Sequence, residues 1–483
     1  MQRLAVEMMN ECKFRDFLKS HRLAIGTILL AALFLRLLFW AYFPPDVTVG
    51  DAGWRYLPTA LNILNGNGFS LDSVLPFRPS EACVPLYPLF IAAVYAVFGV
   101  EPAAIVAVQI IIDLLTCLLV AFAAFHLAPV RLKNLSAFSS LTIYGVFSWF
   151  TLLWSVKLLT ETLTIFLTML TVALCISALK KEKKEERGEI RLWLAAGAAG
   201  GLAILTRPDS LLLAAAIILF ASIRFSIHPS RKRIFSVLSF CLAAALTLAP
   251  WIVRNYSAFG KFQPLASEWA FAEGGYMPLN YLYWIKTWMT DETYFYVVFN
   301  QAFVPGTTSF EPEKLPDDIF DSAEERQRVT ALMKKYNRTL YFTPEINEEF
   351  RLIADERVKQ SPIRFYAALP LKRIASLWLT GFSTTRPKDY KMLILRILSV
   401  LPIIIGGIAG FILCFRRSSA AALLLAIIIV RTIFLAFHYA PETRYIVEAY
   451  PLMIAACGVS AAAVWLAVRR RLTSDAENGR LTA

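Results

Sequence analysis

The sequence predicts an all-α polytopic membrane protein: about ten transmembrane helices, interfacial helices and an α-rich domain on the outer face. Three observations predict it. Of the 483 residues, 57% are hydrophobic and only 18% are charged, with a mean hydropathy of +0.54. Soluble domains carry about a quarter charged residues, so this chain lacks the polar surface to cover a water-facing globule of its size. The apolar residues also fall in blocks near 20 residues long, the length that crosses a ~30 Å hydrocarbon core at about 1.5 Å per residue. Finally, the basic residues collect in short clusters between those blocks.

In chain order, the expected spans are 23–43, 103–125, 134–154, 158–179, 192–206, 209–227, 234–253, 392–414, 419–437 and 445–467. The first follows Lys13, Arg15, Lys19 and Arg22. It is too long for a signal peptide and no small-residue cleavage site follows, so it reads as a retained span. The net charge of +13 raises nucleic-acid binding, but the positions of the charges exclude it. Arg131 and Lys133, the group from Lys180 to Arg191, the group from Arg224 to Arg233, Arg416 with Arg417, and Arg469 to Arg471 all lie in alternate connections. That is the pattern of cytoplasmic loops, whose electrostatic partners are anionic headgroups. It predicts a multi-pass protein of the cell membrane with both termini cytoplasmic.

The apolar run 85–98 has about 14 residues, short for a crossing. Counting it would invert every later loop, so it is expected to be an interfacial or re-entrant helix. The resulting organisation is an N-terminal transmembrane module, 1–253, with a first outer loop at 44–102. An outer domain follows at 254–391, then a C-terminal transmembrane module at 392–471 and a cytoplasmic tail at 472–483. Within the outer domain, 320–337 and 345–374 read as helices, and Tyr281, Tyr283, Trp284 and Trp288 suit a domain lying on the membrane surface. The seven cysteines form no CxxC pair and only Cys83 falls outside, so disulfides do not hold the outer domain.

On this topology the unusual polar residues gather on one side. Asp51, Glu81, Lys157, Glu161, Arg207, Asp209, Arg254, Asn255, Glu442 and Arg444 all map to outer loops or outer span ends. Carboxylates and arginines together suit a reaction on an anionic, lipid-linked substrate: a carboxylate takes a proton from an attacking hydroxyl, and guanidinium groups hold phosphate. For any one of them the bland alternative is a charge that merely marks the interface. That alternative is weakest for Asp51, which sits in Gly50-Asp51-Ala52-Gly53, where insertion requires no acid. For Arg207-Pro208-Asp209 a tight two-helix turn is an equal alternative. Arg36 and Asp113 lie inside spans, where a charge costs roughly 2.5–3.5 kcal/mol. Their depths, roughly 10 and 15 Å from the outer ends, allow them to pair as a helix–helix staple.

At these residues the sequence resembles the GT-C glycosyltransferases, in particular family 39: bacterial relatives of protein O-mannosyltransferases and of aminoarabinose transferases acting on lipid A. The resemblance is a string of short motifs in order: Leu35-Arg36-Leu37; Gly50-Asp51 with Tyr56, Ala60, Gly66 and Gly68; Pro85-Leu86-Tyr87-Pro88-Leu89-Phe90; Thr160-Glu161; Thr206-Arg207-Pro208; Pro250-Trp251-Ile252-Val253-Arg254-Asn255-Tyr256 with Gly260; and Arg444-Tyr445 with Pro451. It implies a GT-C-like fold and a transferase taking sugar from a polyprenyl-phosphate carrier on the outer face. It gives Asp51 the role of catalytic base, Arg254, Arg444 and Arg207 places at the carrier phosphate, and Glu161, Asn255, Glu442 and Tyr56 places around them.

The chain departs from the family in three places. Asp51 is followed by Ala52 where many relatives have a second acid, Pro58 falls where a helix is expected, and Ala82-Cys83-Val84-Pro85 lacks the lysine of relatives acting on lipid A. Some relatives bind a divalent metal. Here the one outer-face histidine, His438, with scattered acids is a weak metal signal, and no metal or other cofactor is expected. The acceptor can be a lipid, a polysaccharide or a protein. The rival reading is a transporter or lipid flippase with an outward-facing polar vestibule. Transporters place charges near the midplane and often show internal repeats, whereas these charges crowd the rim and no repeat is visible.

Overall fold

A computed structural model describes residues 13–45, 47, 50–267, 278–295, 297–299, 309–380, 390–415 and 418–481, with backbone only at 318, 380, 390–397 and 474–481. Among them every regular element is helical. Eight helices are long and apolar enough to cross a membrane: Arg22–Tyr42, Pro102–Leu127, Glu161–Lys183, Glu189–Thr206, Pro208–Ile227, Arg231–Phe259, Ser419–Ala436 and Thr443–Thr473. A bent pair, Val130–Phe147 with Trp149–Ser155, has the length and composition of a ninth span when taken as one, and the helix Tyr390–Cys414 occupies the place of the remaining expected span. The chain is an all-α polytopic membrane protein.

The expected straight span at 134–154 is instead bent by 61°. Its cause lies on another helix. Residues Ile143–Phe147 form a wide π turn, and the Gly145 carbonyl, which an unbroken α-helix would offer to residue 149, accepts from the Arg36 guanidinium at 3.0 Å. Arg36 also donates through Nε to Asp113 at 2.6 Å and through Nη1 to the Ala32 carbonyl at 2.9 Å, while the Tyr144 hydroxyl donates to Asp113 at 2.6 Å. The expected staple is present, and it joins three helices.

The short span Glu189–Thr206 is inserted tightly against Arg231–Phe259. A Cβ at Gly197 would collide with the Phe240 carbonyl, so only glycine allows the backbones to approach this closely. The run 86–98 forms a 13-residue helix, Leu86–Phe98, about 20 Å long and too short to cross. Its Tyr87 hydroxyl donates to Gln109 at 2.7 Å, which fixes it against Pro102–Leu127.

Two expectations for the outer segment are corrected. Tyr281 and Trp284 are 0% exposed and Trp288 is 8% exposed: they form a core with Phe310, Tyr336, Phe342 and Phe350 instead of lying on a membrane surface. Aromatic composition alone cannot distinguish a domain's own interior from a lipid-facing belt. The helix expected at 345–374 is interrupted at Ser361, whose ψ is 66° because Pro362 disfavours helical geometry there, and helix resumes through Arg364–Ala368 and Leu369–Ala375. The preceding helix, Ala323–Thr339, starts at Ser322, whose side chain accepts from the Glu325 N–H at 3.1 Å. Asp321, just before it, binds Arg357 at 3.0 Å and Arg364 at 2.6 Å.

Candidate active site

Asp51 is presented by a local backbone device. Gly50 has φ 67°, a left-handed geometry that favours glycine, and the chain then turns directly into helix. The first turn, Ala52–Tyr56, is π-wide. Pro58 follows immediately after this π turn, in Leu57–Leu64. The carboxylate thus sits at a helix start, where backbone N–H groups favour negative charge.

The second half of the site arrives from almost four hundred residues away. Glu442 precedes the 3₁₀ turn Thr443–Ala449 and directs Arg444 at the first loop. Arg444 Nη1 donates to Asp51 Oδ2 at 3.1 Å, its Nε lies 2.5 Å from Glu442, and the Tyr445 hydroxyl donates to Glu442 at 2.8 Å. Arg55, one helical turn after Asp51, approaches it at 3.4 Å. Asp51 and Arg444 are each a little over one-fifth exposed, so the pair is open to a substrate. Burial raises the Asp51 pKa, but Arg444 and Arg55, with Arg207 further off, more than offset it, and the carboxyl lies below the ordinary carboxylate value. Tyr56, beside Asp51 and edge-on to Tyr87 at 5.0 Å, has its phenol pushed up by burial and by that carboxylate and stays protonated.

Behind this pair lies a buried charge network. Arg207 donates to Glu161 at 2.7 Å and to Asp209 at 3.1 Å, with Glu448 at 3.5 Å. Arg431 bonds Asp209 at 2.7 Å, the Tyr445 carbonyl at 2.6 Å, and Glu448. The Tyr445 ring carries Arg207 and Arg444, each 5.2 Å from its centroid. The network therefore fixes the residue next to Arg444. It lies at the end of the bundle opposite the basic clusters, because Glu161 opens the helix that Lys180, Lys181 and Lys183 close.

The structure brings together Asp51, Tyr56, Glu161, Arg207, Glu442 and Arg444. It does not bring Arg254 and Asn255 into contact with Asp51. Arg254 donates to the carbonyls of Ser80 (2.7 Å) and Phe69 (3.0 Å) and to Asn255 Oδ1 (2.9 Å), and lies over the rings of Phe69, Trp251 and Phe259. Asn255 donates to the Gln263 carbonyl at 2.8 Å, and Lys261 binds Glu81 at 2.7 Å. These residues hold the returning arm of the first loop. Cys83 belongs to the same arm and is buried, and burial pushes its thiol up to about 12.

Sequence reasoning missed four residues. Arg55 had a signal, its four-residue spacing from Asp51. Arg431 and Glu448 interrupt apolar runs, the same signal that marked Arg36 and Asp113. Glu292 had none. Among the described residues no group of three or more His, Cys, Asp or Glu is placed to hold a metal. The His438 ring accepts from the Ala440 N–H at 3.1 Å and stacks on Tyr439 at 4.2 Å.

Comparison with known proteins agrees with this architecture. The sequence profile of the family described as dolichyl-phosphate-mannose-protein mannosyltransferase matches residues 78–253. No curated protein sequence matches the chain. Among solved structures, the Archaeoglobus fulgidus oligosaccharyltransferase tethered with an acceptor peptide superposes with a TM-score of 0.53 at 12% identity, covering 94% of this chain and 51% of that one. The same organism's oligosaccharyltransferase AglB, in complex with an inhibitory peptide and a dolichol-phosphate, gives 0.51 at 14% identity, covering 95% and 52%. ArnT from Cupriavidus metallidurans bound to undecaprenyl phosphate gives 0.39 at 12% identity, covering 89% and 77%. The chain spans about half the length of the oligosaccharyltransferases it matches. At these identities the likeness is one of fold: the chain shares the multi-pass membrane fold of the Archaeoglobus fulgidus oligosaccharyltransferases.

Proposed function

We propose that the protein is a membrane glycosyltransferase that moves a sugar from a polyprenyl-phosphate carrier to an acceptor hydroxyl by inverting displacement, with Asp51 as the base. One observation carries the reading: a partly exposed, ionised carboxylate on the first loop directly faces an arginine from the last connection, in a fold shared with transferases. AglB has been seen holding a dolichol-phosphate, which supports a lipid-phosphate donor here.

In the proposed reaction, the acceptor hydroxyl donates its hydrogen bond to Asp51 and attacks the anomeric carbon. The new C–O bond forms as the bond to the phosphate oxygen breaks, its electron pair leaving with polyprenyl phosphate, and the hydroxyl proton passes to Asp51. Although the arginines depress its basicity, Asp51 is ionised at every physiological pH, and the hydroxyl becomes acidic only as its oxygen bonds carbon. The departing phosphate gains negative charge, which Arg444, with Arg207 behind it, stabilises more in the transition state than in the ground state. Arg254 and Asn255 act by holding the loop. The basic clusters face the cytoplasm under the positive-inside rule, so the site opens on the outer side of the cell membrane, with both termini inside. Its partners are the lipid-linked donor and an outer-face lipid, polysaccharide or protein.

The test is transfer by the full-length protein in nanodiscs, given radiolabelled polyprenyl-phosphate hexoses and a membrane acceptor fraction. Label should move to acceptor with wild type and fall at least tenfold with Arg444→Ala. Translocation of the intact carrier across a vesicle with no transfer would replace the transferase with a flippase.

A further inference from the structure

The outer domain holds the active-site connection by packing Tyr439 and Ala440 against its own core and by hydrogen bonds from Thr443 to Glu292. Glu292 spends both oxygens on Thr443: Oε2 accepts from the backbone N–H at 3.2 Å and Oε1 from the hydroxyl at 3.1 Å. Thr443 stands between Glu442 and Arg444 and opens a 3₁₀ turn, so the N–H it gives to Glu292 is one that the turn leaves unpartnered. The segment before Glu292 is itself anchored. Arg373, fully buried, donates to the carbonyls of Met289 (2.8 Å) and Lys286 and to that of Ala436 (3.1 Å) at the end of Ser419–Ala436. The outer segment and the C-terminal transmembrane module therefore meet across a fixed joint, and Glu292 projects from it to the site.

The negative charge of Glu292 is not a device for stability. Burial and the neighbouring Glu442 push its pKa up to about 7, against the pull of Thr443 and Arg444. A glutamine has the shape to make both contacts with no charge to desolvate.

We propose that Glu292 is a positioning residue: by clasping Thr443 with both oxygens it sets the register of Arg444 against Asp51, which makes the outer domain part of the phosphate-binding site. This rests on the assignment of Arg444 to the carrier phosphate. Glu292 need not touch substrate; it acts through the backbone at Thr443.

The experiment measures binding of polyprenyl monophosphate to the full-length protein in nanodiscs, at pH 8, for wild type, Glu292→Ala, Glu292→Gln, Thr443→Val, Arg444→Ala and Glu292→Ala/Arg444→Ala. Glu292→Ala should weaken binding about tenfold in wild type and less than twofold on top of Arg444→Ala, because the effect runs through that arginine. Glu292→Gln should stay within threefold of wild type while melting at a higher temperature, a split that a purely structural residue would not give. If Glu292→Ala fails to fold, Thr443→Val carries the test, with an expected loss of about threefold. Wild-type binding by both Glu292→Ala and Thr443→Val, with Arg444→Ala still weakened, overturns the inference and leaves the proposed function standing. No binding by wild type, or none of it dependent on Arg444, removes the phosphate assignment and the inference with it.

Discussion

Asp113→Leu should destabilise the protein more than Arg36→Leu, and the double variant should recover much of the loss. In wild type the Arg36 guanidinium is 0% exposed and bonds Asp113 at 2.6 Å, with carbonyls of Ala32 and Gly145 at 2.9 and 3.0 Å. Removing Asp113 leaves a buried cation with two carbonyls and no counter-charge, and a guanidinium cannot shed its proton. Stranding one member of a buried pair costs about 3–5 kcal/mol. Removing Arg36 instead leaves a carboxylate that still accepts from Tyr144 at 2.6 Å and can take up a proton to become neutral, so its cost is nearer 1–3 kcal/mol. Arg36→Leu/Asp113→Leu strands neither charge and lets the Gly145 carbonyl return to its own helix, which gives an expected coupling of about 2–3 kcal/mol between the sites. The assay is a double-mutant cycle on unfolding free energy in detergent, with folded yield as a parallel readout. Additive losses in the double variant, or a larger loss for Arg36→Leu than for Asp113→Leu, would refute the reasoning.

Three further outcomes are expected. Arg254→Lys should fail to restore what Arg254→Ala loses, because the planar fork that reaches Ser80 and Phe69 while lying on three rings has no ammonium equivalent; hydrogen exchange across 69–83 should rise in both. Gly50→Ala should cost about 1–2 kcal/mol from its left-handed φ, although the space beside it is open, and should lower Asp51-dependent turnover before it lowers folded yield. The stability gain of Glu292→Gln over wild type should be absent below about pH 4.5 and grow to at most about 3 kcal/mol above pH 7. The folded state holds the Glu292 proton more tightly than the unfolded state, so wild-type stability falls as pH rises across that window, and a gain independent of pH would contradict the raised pKa.

The spans were legible because hydrocarbon thickness fixes helix length: eight of the ten expected spans fall on helices long and apolar enough to cross, and a ninth falls on the bent pair. The Arg36–Asp113 staple was legible because a charge inside an apolar run needs a partner and their depths agreed. The bend at Ser148 was not: its cause is a guanidinium from a helix more than a hundred residues earlier. Pro362 did announce the break after Gln360, whereas the burial of Tyr281 and Trp284 depended on what else would pack on them. At the site, charge patterning placed Asp51 and Arg444 on one face, but which acid meets which arginine is a matter of three-dimensional packing. Arg254 shows the gap: it lies on the expected side and holds the loop, not Asp51. Arg431 and Glu448 carried the same intramembrane-charge signal as Arg36 and were readable on that ground alone. Nothing in the sequence around Glu292 distinguishes it from other outer acids.

The most direct test of the account is sugar transfer by Asp51→Asn. Asparagine keeps the size and can still accept from Arg444, but it cannot take a proton from the acceptor hydroxyl. With purified full-length protein in nanodiscs, a labelled polyprenyl-phosphate hexose and a membrane acceptor fraction, turnover should fall by about 10²–10⁴. Polyprenyl monophosphate binding should stay within about threefold of wild type, because the phosphate partner, Arg444, is untouched. Transfer at a near-normal rate would contradict the account, removing Asp51 as the base.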